Sequence, residues 1–250
     1  MSYRICLLAA LIGFLNGWSQ DVNVLLMEAK QLEDAVQESA ALQKYREAQK
    51  IEPANLTALV KCSELYSRIG KRQRSLAETE SYYQSAKSYA SAALKVNPRS
   101  SEANSVMAMA MGRLAMTKSG SEKIDAAREI RKYVDAALAY DEKNFKAWHI
   151  LGRWHYELSS LNFIERAAVK VFFGGIPESS LSASIQAFEK ARALAPGFVL
   201  NYLELAKAYH KAGNRQTANN LLNTMLRLPD HTEDDPATKA EARRFLSEWN

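Results

Sequence analysis

The chain has 250 residues, 47% of them hydrophobic, with 33 Lys and Arg against 28 Asp and Glu for a net charge of +5. That length suffices for one large domain or for a solenoid with a continuous core. The charge is too mild for a nucleic-acid-binding protein, which shows a concentrated basic face.

The first element reads as an export signal. Arg4 supplies a positive start, residues 5–15 an apolar run, and Gly17-Trp18-Ser19 the small residues of a cleavage site before Gln20. Eleven apolar residues are too few to span a bilayer. Residues 1–19 are therefore expected to be removed. The mature chain, 20–250, is expected to be periplasmic or secreted, with no transmembrane anchor. Arg4 and Cys6 leave with the signal, so the net charge falls to +4. Cys62 is then alone, which rules out an intramolecular disulfide. It falls at a packing position and reads as a small buried hydrophobe.

From residue 22 onward, small residues, aromatics and closing turns recur in one phase. The first unit, 22–55, carries Leu25, Ala29, Leu32, Ala41, Tyr45, Ala48 and Pro53. The second, 56–100, has Leu59, Cys62, Ser63 and Tyr66, a turn expected at Gly70, then Ala86, Ala90 and Ala93 before Asn97-Pro98. The third, 101–144, has Met107, Ala108 and Met111, then Val134 and Ala137, and closes at Tyr140-Asp141-Glu142. The fourth, 145–198, opens Phe145, Trp148, Leu151, Gly152 and closes at Leu194-Ala195-Pro196. The fifth, 199–232, is the cleanest. With Val199 as position 1, Tyr202, Leu205, Ala206, Tyr209, Ala218 and Leu222 fall at positions 4, 7, 8, 11, 20 and 24.

This is the spacing of the 34-residue tetratricopeptide (TPR) repeat, with its W-x2-L-G core at Trp148–Gly152. Closing positions Pro53, Pro98, Glu142, Pro196 and Asp230 lie 45, 44, 54 and 34 residues apart. The first three spacings must therefore hold lengthened helices or loops. Asp235 suits the N-cap and Pro236 the first turn of a last helix, 235–249, which would cover the apolar face of the final repeat. The fold expected is an all-α, TPR-like α-solenoid of about five helical hairpins with a C-terminal capping helix. Gly152 should permit close helix approach, with Trp148 filling the adjoining space.

In TPR stacks the first helix of each pair lines the concave surface. Its inward positions place Lys61, Arg68, Arg113, His149, Arg153, Tyr156, Lys207 and His210 in a partly basic groove. Guanidinium forks there suit a carboxylate or a phosphate. Acidic residues share the face, among them Glu33, Glu64, Glu157 and Glu204, and some pair with the bases three or four residues away. The insertion after Leu158 carries Leu161, Ile164, Phe172 and Phe173, followed by Gly174-Gly175-Ile176-Pro177. It reads as core, as a lid over the groove or as a membrane contact.

Two stretches go further than a generic repeat. One is Lys146-Ala-Trp-His-Ile-Leu-Gly-Arg-Trp-His-Tyr-Glu-Leu158 with Phe172-Phe-Gly-Gly-Ile-Pro177; the other is Ala193-Leu-Ala-Pro-Gly-Phe198 leading into Asn201-Tyr-Leu-Glu-Leu-Ala-Lys207. Together they resemble the regulator of microtubule dynamics family, whose TPR-like domain has a His-x-Leu-Gly-Arg-Trp helix and a Gly-x-Pro turn. The resemblance implies a non-enzymatic protein. Family members are associated with microtubules or mitochondria, and one with phospholipid transfer between membranes. The expected export signal, without a long anchor, sets this chain apart, so what is expected to carry over is the fold and a capacity to hold a peptide or lipid.

Catalytic spacings are absent from the sequence. The four histidines, His149, His155, His210 and His231, form no His-Glu-x-x-His, and there is no Gly-x-Ser-x-Gly or phosphate loop. The expectation is a non-enzymatic scaffold of the cell envelope that holds a peptide or protein partner in its groove, without metal or cofactor. The alternative is a hydrophobic-ligand or phospholipid carrier.

Overall fold

The computed structural model describes residues 22–118, 121–161, 167, 170 and 179–249. The expected export signal and three residues of the expected lid, Ile164, Phe172 and Phe173, lie outside them. No strand occurs among the described residues. Helices α1 (22–34) and α2 (Glu38–Ile51) form the first hairpin, and α3 (Leu56–Lys71) and α4 (Leu76–Val96) the second. The third comprises α5 (Ser101–Ala115) and α6 (Ser121–Tyr140). The fourth comprises α7 (Phe145–Ser159) and α8 (Leu181–Leu194), and the fifth α9 (Val199–Lys211) and α10 (Arg215–Met225). A last helix, α11 (Asp235–Glu248), packs on α9 and α10. The described chain is an all-helical solenoid. Its long second and third units are built with α4, of 21 residues, and α6, of 20, against 14 in α2.

Local chemistry starts and stops these helices. The side chains of Asn55, Ser100, Asn144, Ser180 and Asn214 each accept from the backbone N–H three residues on, and Ser75 forms a capping box with Glu78. Each cap satisfies an N–H that the helix itself leaves unpaired. Helix α9 ends on Gly213 in the left-handed region (φ 83°), with the Asn214 N–H donating to the Tyr209 carbonyl. Helix α1 ends with the same hydrogen bonds, but Val36 occupies the left-handed position (φ 57°). A β-branched residue there costs about 1–2 kcal/mol. Asp235 departs from its expected role. Its carboxylate accepts from the His231 and Thr232 N–H groups at 2.8 and 2.9 Å, and so ties down the segment before the helix.

Small residues set the distances between helices. A Cβ on Gly152 would lie 2.6 Å from the Phe188 ring of α8, and the Ser184 hydroxyl donates to the Gly152 carbonyl. The space beside Gly152 is thus filled by Phe188. Trp148, expected there, donates its indole N–H to the Glu142 carbonyl, while Trp154 is the buried tryptophan of this helix. Gly70 is also not a turn. It lies inside α3, where a Cβ would come within 2.8 Å of Tyr82. Cys62 is fully buried among Ala29, Leu42, Tyr45 and Leu65, and burial pushes its thiol up to about 12.

The Phe188 contact makes Gly152 the tightest point of the fourth hairpin. Gly152→Leu should overpack it by roughly 1–3 kcal/mol. Thermal unfolding should show a lower Tm; an unchanged curve would mean that Phe188 is not seated against this backbone.

Candidate functional site: the concave groove

The first helices of successive hairpins touch one another, α3 with α5, α5 with α7 and α7 with α9, and so line one continuous inner face. Its N-terminal half is a packed ionic cluster. Glu33 pairs with Lys61 at 2.8 Å and with Arg68 at 3.0 Å. Glu38, 1% exposed, accepts from Arg68 at 3.0 Å and from Arg72 at 2.7 Å. Glu64 accepts from Lys146 at 2.6 Å, joining α3 to α7 across the intervening α5. Burial works against ionising Glu64, but Lys146, Arg68 and Lys61 outweigh it and hold the carboxyl well below its usual range. Lys61 and Arg68 are therefore committed to neighbours within the fold.

The cluster also reaches the far end of the chain. Arg72 contacts Glu233 at 3.0 Å and Asp234 at 3.2 Å, and the Glu38 N–H donates to Glu233 Oε1 at 2.8 Å. A solenoid that contacts only adjacent repeats would make none of these bonds. Here the segment before α11 closes onto the second hairpin.

Arg113, on α5, occupies the middle of the inner face. It is partly buried, and its guanidinium makes no hydrogen bond or ion pair among the described residues. Burial, with a further push from nearby Arg153, lowers its proton affinity, and Tyr83, Asp234 and Glu204 only partly offset this. The side chain stays cationic, since guanidinium does not deprotonate in proteins. It is an arginine with its charge incompletely answered.

Beyond it, Arg153 reaches Glu157 at 3.2 Å and Glu204 at 3.7 Å, and Lys207 reaches Glu204 at 3.4 Å. Glu204 is buried, yet Arg153 and Lys207 keep its carboxyl below the ordinary range. Arg153 and Lys207 thus share one buried acid, whose field also reaches Arg113. The remaining sequence candidates have other surroundings. His149 is buried between Phe188 and Phe198, with Nδ1 3.0 Å from Asn201 Oδ1. Asn201 donates its amide to the Phe188 carbonyl, so its Oδ1 is the acceptor and His149 carries its proton on Nδ1. Tyr156 lies under the Lys211 ammonium, 5.0 Å from the ring centre, and His210 stacks on Trp249 at 3.9 Å. Leu161, the one described lid residue, follows the end of α7. Nothing in the sequence groups Arg72, Glu38, Glu233 and Asp234, because 195 residues separate Glu38 from its partner Glu233.

A second hollow lies away from the groove. An open cleft of about 740 Å³ is bounded by Trp148, Leu151 and His155 of α7 and by Ala183, Ala187 and Lys190 of α8. Behind its wall, His155 Nδ1 is buried from solvent without a hydrogen-bond partner among the described residues. Among those residues no group of three or more His, Cys, Asp or Glu side chains is placed to hold a metal ion, and no helix is long and apolar enough to cross a membrane.

Helical hairpins of this register, with successive first helices in contact, define a TPR-type solenoid. A solved TPR protein of Thermus thermophilus has the same fold, with a TM-score of 0.66 at 15% identity over 89% of this chain and 99% of its own. The family model for regulator of microtubule dynamics protein 1–3 matches residues 25–250, and the chain belongs to that family. Regulator of microtubule dynamics protein 3 of Xenopus laevis is 26% identical over 170 residues, 68% of this chain and 37% of the relative. Protein 1 of Mus musculus is 29% identical over 160 residues, 64% of this chain and 52% of the relative. These matches span only about a third to a half of the relatives' length.

His149 gives the inner face a testable pH response. Burial, despite the Asn201 hydrogen bond, lowers its pKa from 6.5 to about 4. The unfolded chain then binds a proton first as pH falls, so stability is lost between about pH 6.5 and 4 and the loss levels off below. A displacement of that size corresponds to about 3 kcal/mol. Denaturant titrations across that window should show a steep fall for wild type and a shallower one for His149→Gln. Parallel curves would contradict a buried neutral imidazole.

Proposed function

We propose that this protein is a non-enzymatic interaction scaffold whose concave groove takes an acidic peptide segment of a protein partner. Arg113 is the central anchor, flanked by Arg153 and Lys207. The observation that carries this reading is the unanswered charge of Arg113. A partly buried cation without a partner is costly to the fold, and a ligand carboxylate would supply the missing bonds as a bidentate pair. The TPR-type fold and the family membership support the scaffold role. The apolar run at residues 5–15, with small residues before Gln20, supports a place in the cell envelope.

Arg113→Met separates binding from folding. A fluorescein-labelled peptide of alternating Glu and Asp should bind wild type at low salt and lose at least tenfold in affinity to the variant. The variant should also melt at a higher temperature, because an uncompensated charge has been removed. Equal affinity for both proteins would sink the assignment of Arg113.

A second reading rests on the cleft beside α8. Its largely apolar walls suit a hydrophobic ligand. Native mass spectrometry of purified protein decides it: reproducible absence of a bound small molecule removes this reading.

A further inference from the structure

The segment between α10 and α11 treats the N-terminal half of the groove as a ligand would. Pro229 to Asp235 runs past the turn before α9, where His231 lies against Gly197, and then reaches α2 and α3. Glu233 accepts from Arg72 and from the Glu38 N–H, and Asp234 accepts from Arg72, with Lys71 3.9 Å away. The field of Asp234 also reaches Tyr83 and Arg113 on the next two helices. Two successive carboxylates thus sit on a guanidinium fork at the rim of the inner face. This is the chemistry expected of an acidic peptide.

We propose that the Glu233–Asp234 segment is a built-in competitor that keeps this half of the groove occupied until an acidic peptide displaces it. The inference rests on the acidic-peptide reading of the groove above. Three features make the segment displaceable. Its bonds are polar, and Glu233 and Arg72 remain 34% and 25% exposed; ion pairs in such settings add little net stability. Among the described residues no apolar cluster joins the first two hairpins to α11, whose own packing is on α9 and α10. An incoming carboxylate re-forms the bonds that Arg72 gives up, so the exchange is nearly balanced. Because Glu38 and Glu233 are 195 residues apart, releasing the segment also frees the N-terminal hairpins from the cap.

The test uses a fluorescein-labelled peptide copying residues 229–237, titrated against the full chain by fluorescence anisotropy. Glu233→Gln/Asp234→Asn should bind it at least tenfold more tightly than wild type. Adding Arg72→Gln should cancel the gain. Asp234→Asn alone, which keeps the Glu233 bonds, should give a smaller gain, and circular dichroism confirms that each variant is folded. Equal affinity for wild type and double variant, lost on Arg113→Met, overturns the competitor while leaving the acidic groove standing. Binding to none of the proteins overturns both.

Discussion

Glu38 has 1% of its surface exposed, and its carboxylate is bonded to two arginines. A carboxylate at that depth is tolerable only while Arg68 and Arg72 remain in place, because removing one partner of a buried ion pair leaves an uncompensated charge. The rest of the inner face is arranged around this constraint. Arg68 is shared with Glu33 and Glu64, Glu64 is shared with Lys146 of the fourth hairpin, and Arg72 is shared with the segment that leads into the cap. The array is thereby tied at points that nearest-neighbour packing would leave independent.

The same arrangement divides the groove by chemistry. Toward the N-terminus, cations and carboxylates are matched within the fold. In the middle, Arg113 has no matching acid among the described residues, and toward the C-terminus Glu204 is shared between Arg153 and Lys207. On the proposed reading, a surface neutralised at one end and underneutralised at its centre would direct an anionic segment to the centre. Electrostatic complementarity of this kind sets specificity and orientation more than raw affinity. The apolar cleft at α7 and α8 lies on another face, so the two hollows can be tested separately.

Much of the fold is legible in the sequence, because it is written in local periodicity. Alanines at the repeat's packing positions, such as Ala41, Ala93, Ala108 and Ala206, have 0% exposure, and Asn and Ser at the hairpin starts cap the helices. What the sequence leaves open is partners rather than positions. Gly70 and Gly152 both serve close approach, but the side chains that approach, Tyr82 and Phe188, come from the second helix of each hairpin. The groove is legible as a list of inward positions, and its electrostatics are not. Arg68 and Arg113 fall at the same repeat position, yet one has three carboxylates around it and the other has none bonded to it. That difference depends on which acids are brought near from distant hairpins, and a single sequence does not pair them.

The tie between the cap and the second hairpin is the most consequential of these long-range contacts. It is tested most directly by a distance measured across it. Spin labels at Gln43→Cys on α2 and Ala240→Cys on α11, both exposed positions, can be placed in a Cys6→Ser background. Cys62, fully buried with its thiol pushed up to about 12, will not compete for label. Double electron–electron resonance should give one narrow distance at low ionic strength, which lengthens and broadens in about 1 M salt as screening shortens to roughly 3 Å. A broad distribution at low salt, or a narrow one that ignores salt, would contradict an ionic closure of the solenoid.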